Sequence, residues 1–533
     1  MRRWNGWGDT ATLYPLPASA AAFLADRLGL GTAPQEISLE RLMASVPASR
    51  LPDHSLVSTR PDDRIRHARG QSLPDWIALR SGRLGTFPDG VAYPLTPDDV
   101  RALFSYAHAA GARVIPYGGG TSVVGHINPH PGGQPVLTVD LSRMNRLESL
   151  QETSRLATFG AGVTGPNLEA HLRAHGYTLG HFPQSFEFST LGGWIAARSS
   201  GQQSLYYGRI EDLFAGGVLE TPSGALRLPP FPASAAGPDL RQLVLGSEGR
   251  LGVITSATVR VSPLPQREVF RAAFFPDFTH GVEAVRHMVQ SRIPLSLLRL
   301  STANETETTL QLAGHPRAVA TLERVLRAQG ASAGKCMLMV GATGSSAQVR
   351  HALREAHSLA RHQGGVFTAG GYLGQQWQRS RFRTPYLRNT LWESGYAVDT
   401  LETAVTWERV LPALEAIEHA IKEAASEHTV PVHVFSHISH VYRHGASIYT
   451  TLLFPLMPDP DVDLALWAAI KSAASAAVVH SGGTISHQHG VGADHLPYLE
   501  AEKGALGMAT LRALSAQFDP DSIMNPGKLF GDE

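Results

Sequence analysis

The chain has 533 residues, which is too long for one hydrophobic core, so we expect two or three domains. Basic and acidic side chains number 46 each, and the resulting zero net charge argues against a nucleic-acid binder, which usually needs a basic surface. The single cysteine, Cys336, excludes an intrachain disulfide and any cysteine-based metal or iron–sulfur site, and fits a reducing compartment. We expect no run of membrane-span length and see no apolar signal-peptide core, which together predict a cytoplasmic protein.

The first 88 residues predict an N-terminal arm with short helices. A Trp/Gly-rich start at residues 4–8 precedes an Ala/Leu-rich helix over Ala18–Leu28. Prolines punctuate residues 34–61, which predicts a linker or surface loop. Residues 64–70 contain three arginines and are interpreted as a polar arm.

Residues 89–265 mix helical and strand patterns, which predicts an α+β domain. Thr96 precedes Pro97 and two acidic residues, a combination that favours a helix start. That helix leads into an apolar strand at residues 112–115. Two strand patterns, at residues 217–220 and 225–228, are separated by turn residues 221–224 and predict a β-hairpin.

Three glycine-rich clusters in this domain predict a site for a long phosphorylated ligand. The first, residues 116–125, has three consecutive glycines, which let the backbone turn its N–H groups to one side and form an anion nest. The second cluster, residues 183–196, and the third, residues 246–255, place small residues where a flat ligand could approach the backbone. The triple glycine alone is weak evidence, because such loops also occur as plain turns and no Walker lysine follows.

Residues 266–480 alternate helical segments with apolar strands and predict a second, α/β domain. Residues 481–533 return to glycine and histidine and are expected to pack at the ligand site as a separate C-terminal segment.

In this order and spacing, the three clusters resemble the FAD domain of the vanillyl-alcohol oxidase/p-cresol methylhydroxylase superfamily. The resemblance implies an α+β fold with a PCMH-type FAD-binding domain and an α/β cap domain. It also implies that the first loop binds the FAD pyrophosphate, while the other clusters hold the adenosine side and the isoalloxazine. Residues 118–123 contain no histidine, and His126 is interpreted as a loop residue, so FAD is expected to be non-covalent. The implied FAD-binding residues are Pro116, Tyr117, Gly118, Gly119, Gly120, Thr121, Ser122, Gln184, Ser185, Phe186, Glu187, Phe188, Ser189, Thr190, Ala197, Arg198, Ser199, Ser200, Glu248, Gly249, Arg250, Leu251, Gly252, Val253 and Ile254.

Nearly the whole chain resembles the alkylglycerone-phosphate synthase family, also called alkyl-dihydroxyacetonephosphate synthase. The motifs that carry this resemblance are WNGWG at 4–8, GGTSV at 119–123, EFSTLGGW at 187–194, GSEG at 246–249, YLR at 386–388, LET at 401–403, GASIY at 445–449 and SHQHGVG at 486–492. The family exchanges the acyl chain of acyl-dihydroxyacetone phosphate for a fatty alcohol, with FAD and without net redox. The resemblance therefore implies a lipid-like substrate, and we further expect a homodimer with peripheral membrane contact.

The resemblance also implies roles for individual residues. Arg388 lies where the family binds the substrate phosphate, and a planar, permanently charged fork suits that task. Tyr449 lies at the family's catalytic tyrosine, and Arg299 matches an arginine important for activity. His487 and His489 match the outer members of a three-histidine run; they alternate, so on a strand both would face one side.

One departure from the family pattern bears on the reaction. The middle histidine of the run is Gln488 here, and glutamine cannot take a proton near neutral pH. If the middle histidine is the base, this chain lacks it or uses His495 or His440. The family's basic stretch after Gly492 is also replaced, by residues 493–495.

Three alternatives stay open at the level of sequence. The chain could be an FAD-linked oxidoreductase that takes hydride from an alcohol or 2-hydroxy acid, with His487 or His489 as the base and Arg388 binding the acid. It could be a non-catalytic flavin-binding relative. A metal site of His487, His489 and Asp494 is a further possibility, but we expect no metal, since the family needs none.

Overall fold

The computed structural model describes residues 2–368 and 371–531 of the chain. The N-terminal part is more ordered than the sequence predicts. It contains the helices Ala18–Leu28, Leu39–Met43, Pro61–Arg66 and Leu73–Ser81 and the short strand Val57–Ser58. The expected polar arm is wrong in one respect, because Arg64 is buried in a helix and donates to the backbone oxygens of Pro88 and Pro47 at 2.6 Å each.

Two sheets form the expected FAD-binding domain. The first has the spatial order Val57–Ser58, Gly90–Ala92, Val136–Asp140, Arg113–Tyr117. The second has the order Leu147–Gln151, Leu156–Gly160, Val253–Arg260, Phe214–Thr221, Gly224–Leu228, and a small pair joins Tyr177–Thr178 to Ser262–Pro263. The helices are Pro97–Ala109, Gly165–Ala174, Leu191–Ala197, Ser204–Tyr207, Ile210–Leu213 and Arg241–Val244, with a 3-10 turn at Leu141–Arg143.

The local signals in this domain are confirmed. Thr96 caps the helix Pro97–Ala109, because its hydroxyl accepts from the Asp99 N–H while the Asp99 carboxylate accepts from the Thr96 N–H. The hairpin turns at Pro222 and Ser223, between strands paired from Thr221 to Gly224 onward. The first glycine loop follows the strand Arg113–Tyr117, as expected.

The second domain is built on a seven-stranded antiparallel sheet, called the cap sheet below. Its spatial order is Val366–Phe367, Arg267–Phe275, Cys336–Gly344, Leu297–Ser301, His433–Tyr442, Gly445–Pro455, Tyr396–Thr406. Its helices are Phe278–Gln290, Ala303–Leu312, Pro316–Ala328, Ser346–His362, Tyr372–Ser380, Thr384–Glu393, Val410–Glu427 and Pro460–His480, with a 3-10 turn at Trp407–Arg409.

The N-terminal arm packs into the cap rather than standing apart. Trp76, on the helix Leu73–Ser81, is fully buried and lies 6.0 Å, ring centre to ring centre, from Trp392 on the cap helix Thr384–Glu393. Removing such a buried ring typically costs about 3–5 kcal/mol. This contact fixes the helix that carries Arg388.

The C-terminal segment contains the 3-10 turn Leu496–Tyr498 and the helix Leu499–Phe518, then returns to the FAD-binding domain. Its end pairs with the strand Arg113–Tyr117: the Val114 N–H donates to the Ile523 oxygen at 2.7 Å and the Asn525 N–H donates to the Val114 oxygen at 2.8 Å. The exact domain divisions at residues 88, 265 and 480 stay predictions.

The expectation about membrane-span length is wrong on one count. The helix Pro460–His480 is long and apolar enough to cross a membrane. Core helices of soluble proteins meet the same two criteria, and this one packs on the cap helix Val410–Glu427 and buries Asp463 and Lys471.

Candidate functional site

A cavity of about 340 Å³ lies between the glycine loops, the cap sheet and the segment around residue 488. Of the expected FAD-binding residues, those that line it are Pro116, Tyr117, Gly118, Gly119, Gly120, Thr121, Ser122, Gln184, Ser185, Ser189, Thr190, Ala197, Ser199, Glu248, Gly249, Gly252 and Ile254. Those that lie outside its lining are Phe186, Glu187, Phe188, Arg198, Ser200, Arg250, Leu251 and Val253. The three clusters therefore do converge on one space.

The first glycine loop is shaped so that only glycine fits at its centre. A Cβ on Gly118 would overlap the Thr190 hydroxyl, and one on Gly119 would overlap the Phe188 carbonyl oxygen. Gly120 has a φ of +65°, which L side chains rarely adopt. The loop thus lies directly against the second cluster and leaves its open side to the cavity, a cradle that fits a pyrophosphate.

Glu248 joins the third cluster to the C-terminal segment. Its buried carboxylate accepts the N–H groups of Val491 at 2.6 Å and Gly492 at 2.8 Å and lies 3.1 Å from His126 Nε2. Burial alone would raise the pKa of Glu248, but His126 and the two N–H donors outweigh it and hold that pKa below its ordinary value. The Nδ1 atom of His126 lies 2.9 Å from the Ser122 hydroxyl, so each ring nitrogen has a polar neighbour within the protein.

Several expected residues outside the cavity have structural partners instead. Arg250 donates to the backbone oxygens of Met524 and Asn525 and packs over Phe530 at 4.6 Å. Ser200 pairs with His440 Nδ1 at 3.1 Å. These two side chains connect the FAD-binding domain to the C-terminal segment and to the cap sheet.

Arg388 projects into the cavity from the helix Thr384–Glu393 and packs over the Trp76 ring at 4.3 Å. It donates through Nη1 to the Gln71 oxygen, while Nε and Nη2 have no hydrogen-bond partner among the described residues. Burial lowers the pKa of Arg388 to about 10, so the group stays charged at neutral pH. A charged fork with two buried nitrogens that lack partners is suited to bind a planar or tetrahedral anion.

Tyr449 and His489 share the wall of this cavity. Their rings lie 5.7 Å apart, nearly perpendicular. Burial raises the pKa of Tyr449 above its ordinary value, which keeps the phenol protonated, and burial lowers the pKa of His489, which keeps the imidazole neutral. The pair offers one proton donor and one proton acceptor.

Glu402 anchors the segment that carries the histidines. It lies opposite Tyr449 in the cap sheet, and its Oε1 accepts the N–H groups of Gln488 at 2.6 Å and His489 at 2.7 Å. Oε1 is also 3.6 Å from His489 Nδ1. Burial opposes ionisation, but the two histidines and the Gln488 N–H prevail and lower the pKa of Glu402.

His487 and His489 lie in an irregular loop rather than on a strand, and they face different surroundings. Only His489 lines the cavity. The Nε2 atom of His487 is 2.6 Å from an Arg209 nitrogen, which can only donate, so Nε2 accepts and the neutral ring carries its proton on Nδ1. That Nδ1 points to Glu402 Oε2 at 3.9 Å.

Arg299 also lies behind the cavity wall. It donates to Glu305 Oε1 at 2.7 Å and contacts His437 Nδ1 at 3.1 Å. The His437 ring stacks on Tyr449 at 5.0 Å. Arg299 therefore reaches the site through His437, and this placement favours a positioning role.

Neither substitute for the missing histidine reaches the cavity. His440 is held between the hydroxyls of Ser200 and Ser204, and His495 Nδ1 lies 3.0 Å from the Gly490 oxygen. Gln488 itself lines the cavity beside His489. Within residues 2–368 and 371–531, no group of three or more His, Cys, Asp or Glu side chains could hold a metal ion.

Several residues of the site have no role in the sequence-based prediction. Trp7, Trp76 and Asp399 line the cavity, and Glu402 supports it from behind. Trp7 and Glu402 do lie within quoted motifs, so a signal was present without an assigned function. Asn389 fixes Trp7 from both sides, by accepting its backbone N–H at 3.1 Å and donating to its oxygen at 2.9 Å.

Replacing Gly119 by alanine is expected to abolish stable FAD binding, because the new Cβ would overlap the Phe188 carbonyl oxygen. The absorbance ratio at 450 and 280 nm of the purified protein measures the bound flavin. Gly132→Ala is the matched control, since a Cβ there meets nothing within 4 Å. A G119A protein with full flavin content would contradict the assignment of this loop.

Replacing Glu402 by glutamine is expected to destabilise the fold by about 2 kcal/mol at neutral pH, because two backbone donors lose a charged acceptor. The pKa of Glu402 is lowered in the folded state, so its stabilisation is full above the ordinary value of 4.5 and is lost as the pH falls below it. Urea unfolding at several pH values measures this difference. The exposed Glu408→Gln change is the control, and a constant E402Q difference down to pH 3 would refute the account.

Comparison with known proteins agrees with this geometry. Residues 88–227 match the model of an FAD binding domain, and residues 264–529 match that of the C-terminal domain of FAD linked oxidases. A crystal structure of alkyldihydroxyacetonephosphate synthase superposes with a TM-score of 0.84 at 26% identity and covers 99% of both chains. p-Cresol methylhydroxylase, at 13% identity and a TM-score of 0.64 over 94% of this chain, shares the fold.

Curated relatives include the alkyldihydroxyacetonephosphate synthase of Dictyostelium discoideum, 29% identical over 99% of this chain and 93% of the relative. A D-lactate dehydrogenase of Arabidopsis thaliana is 26% identical over 89% of this chain. The two domain models and the full-length similarity agree with the resemblance found in the motifs. The chain therefore belongs to the FAD-linked oxidase family and is an FAD-binding enzyme similar to the alkyldihydroxyacetonephosphate synthases.

Proposed function

We propose that this enzyme exchanges the acyl chain of acyl-dihydroxyacetone phosphate for a fatty alcohol, a step of ether lipid synthesis. The observation that carries the proposal is the placement of Arg388, Tyr449 and His489 around one cavity beside the glycine loops. A charged receptor for the phosphate, a proton donor and a proton acceptor are the groups that the exchange needs.

The anion receptor sets the orientation of the substrate. The free Nε and Nη2 atoms of Arg388 form one edge of the guanidinium, which suits two oxygens of a phosphate. Trp76 packs on the face of the same group and holds it in place. With the phosphate fixed there, the three-carbon unit extends along the cavity toward Tyr449.

The proton transfers are assigned from the protonation states. Neutral His489 accepts the proton removed from the carbon that bears the acyl oxygen, and the Tyr449 hydroxyl donates to the departing carboxylate oxygen. Glu402, at the Nδ1 side of His489, favours the tautomer with its proton on Nδ1, which leaves Nε2 as the acceptor. FAD, held by the glycine loops, supplies the electrophilic and nucleophilic ring chemistry of the exchange.

Non-covalent attachment of FAD is part of the proposal. Supporting it, the histidine nearest the first loop, His126, has Ser122 on one ring nitrogen and Glu248 on the other. The cytoplasmic location, the homodimer and the peripheral membrane contact stay predictions from the sequence.

The exchange is tested by incubating the holoenzyme with palmitoyl-dihydroxyacetone phosphate and hexadecanol. Formation of the alkyl product with the flavin oxidised at the end is the expected result. Complete anaerobic bleaching of the flavin by a 2-hydroxy acid, without alkyl product, would favour the oxidoreductase alternative, an activity that fits the name of the lactate dehydrogenase relative.

Tyr449→Phe is expected to lower kcat of the exchange by about 10²–10⁴-fold, the usual contribution of a positioned proton donor. Flavin content and KM should change little, because the ring and its stacking on His437 are kept. Tyr442→Phe, a tyrosine outside the lining, is the comparison variant. Equal kcat in wild type and Y449F would remove Tyr449 from the chemistry.

The exchange rate is expected to fall as the pH drops through the pKa of His489, which burial places below 6.5. Protonation there removes the acceptor, so the acid limb of the kcat profile reports this group. His489→Gln should lose the exchange activity, and any residual kcat should no longer fall on the acid side of the pH profile.

Gln488→His should leave kcat within about tenfold of wild type, since His489 already serves as base. A much larger gain in kcat would assign the base to position 488.

A further inference from the structure

Arg388 differs from Arg80, which packs on the same Trp76 ring. Arg80 packs over the same Trp76 ring at 4.8 Å and pairs with the carboxylate of Glu36. Arg388 forms no ion pair with any carboxylate in the described part of the chain, although its Nε and Nη2 atoms are buried. A buried charge without a partner is costly, so something must keep nearby carboxylates from pairing with it.

Asp399 is the carboxylate whose charge acts most strongly on Arg388. It lies on the strand Tyr396–Thr406, against which the helix Thr384–Glu393 packs, and both residues line the same cavity. An Asp399–Arg388 ion pair would occupy the donors that the substrate anion needs.

Two residues of the helix Pro460–His480 engage Asp399 from behind. The Trp467 indole N–H donates to Asp399 Oδ2 at 2.7 Å, and Lys471 Nζ lies 3.6 Å from the same oxygen. Lys471 is buried, which is rare for lysine, and it also donates to the Thr400 oxygen at 3.0 Å. The sequence has only five lysines, so this buried one is conspicuous.

The second nearby carboxylate is engaged in the same manner. Asp75 accepts the Ser72 N–H at 3.1 Å and the Asn128 side-chain N–H at 2.7 Å. Both acids therefore offset the charge of Arg388 from a distance while their oxygens bind other donors.

We propose that Lys471 and Trp467 are positioning residues for the substrate anion: by binding Asp399 they keep it from pairing with Arg388 and leave the guanidinium open to a phosphate monoester. Lys471 also cancels the negative charge of Asp399 at the cavity wall, which would otherwise repel the phosphate. The inference rests on the proposed function only in the identity of the anion.

The test measures anion binding and turnover in the holoenzyme. The variants are Lys471→Met, Trp467→Phe and the double variant K471M/D399N, with the exposed Lys422→Met as matched control. The probes are inorganic phosphate, followed by the change in the flavin spectrum, and palmitoyl-dihydroxyacetone phosphate, followed by KM and kcat.

K471M is expected to raise Kd for phosphate and KM for the phosphorylated substrate about tenfold. This is the effect expected when one charge-assisted hydrogen bond of Arg388 goes to Asp399 instead of the anion. W467F should show a smaller increase in the same direction, and kcat and flavin content should be unchanged in both. The double variant should return both constants to within about twofold of wild type, because the competing carboxylate is gone. Such rescue is not expected of a residue that acts only on folding.

Wild-type binding in K471M, or a double variant as weak as K471M, would overturn the inference and leave the proposed function standing. Phosphate binding that responds to the variants as expected, without any exchange activity in wild type, would support the inference and refute the proposed substrate. A wild-type holoenzyme that binds neither probe would overturn both.

Discussion

The site depends on two buried carboxylates, one from each of two domains, that hold one short segment. Glu402 of the cap sheet accepts the N–H groups of Gln488 and His489, and Glu248 of the FAD-binding domain accepts those of Val491 and Gly492. Four backbone N–H groups within residues 488–492 thus bind two acids from different domains. An ionised carboxylate is a strong acceptor for amide N–H groups, and in a buried place it binds them with little competition from water.

This arrangement explains why the segment can be irregular and still be well placed. A loop usually gains its hydrogen bonds from water, so it is less firmly positioned than a helix or strand. Here the N–H groups are satisfied inside the protein, and the carboxylates bring His489 to the wall shared with Tyr449. The cost is that two charged groups are buried, and the low pKa of each shows that donors and neighbouring histidines offset it.

Much of the fold could be predicted because its signals are local. The Thr96 cap, the hairpin at Pro222 and Ser223, and the glycines of the first loop each follow from the conformational limits of a few adjacent residues. The resemblance also implies site roles for Arg388, Tyr449 and His489, and all three line the cavity. What the sequence could not show is which of two alternating histidines faces the cavity, since that depends on whether the segment is a strand or a loop anchored by distant acids.

The contacts around the Arg388 guanidinium could not be predicted from the sequence for the same reason. They involve Trp76 from the N-terminal arm and Asp399 with its donors from a later helix, residues joined only by the fold. Likewise Arg64 lies in an arginine-rich stretch that looks exposed, yet its donors meet two backbone oxygens in the interior. From sequence alone, a charged side chain is predicted to lie at the surface, because the partners that allow its burial are distant in the chain.

The same logic bears on the departure at position 488. Gln488 is bound to Glu402 through its backbone N–H, a contact that any residue except proline can make, so histidine and glutamine are held equally well there. The side chain can therefore change without moving His489, whose own N–H is bound to the same oxygen. Loss of the middle histidine then removes one imidazole from the cavity but not the neutral acceptor beside Tyr449, and the chemistry that needs a base can still be served by the residue next to it.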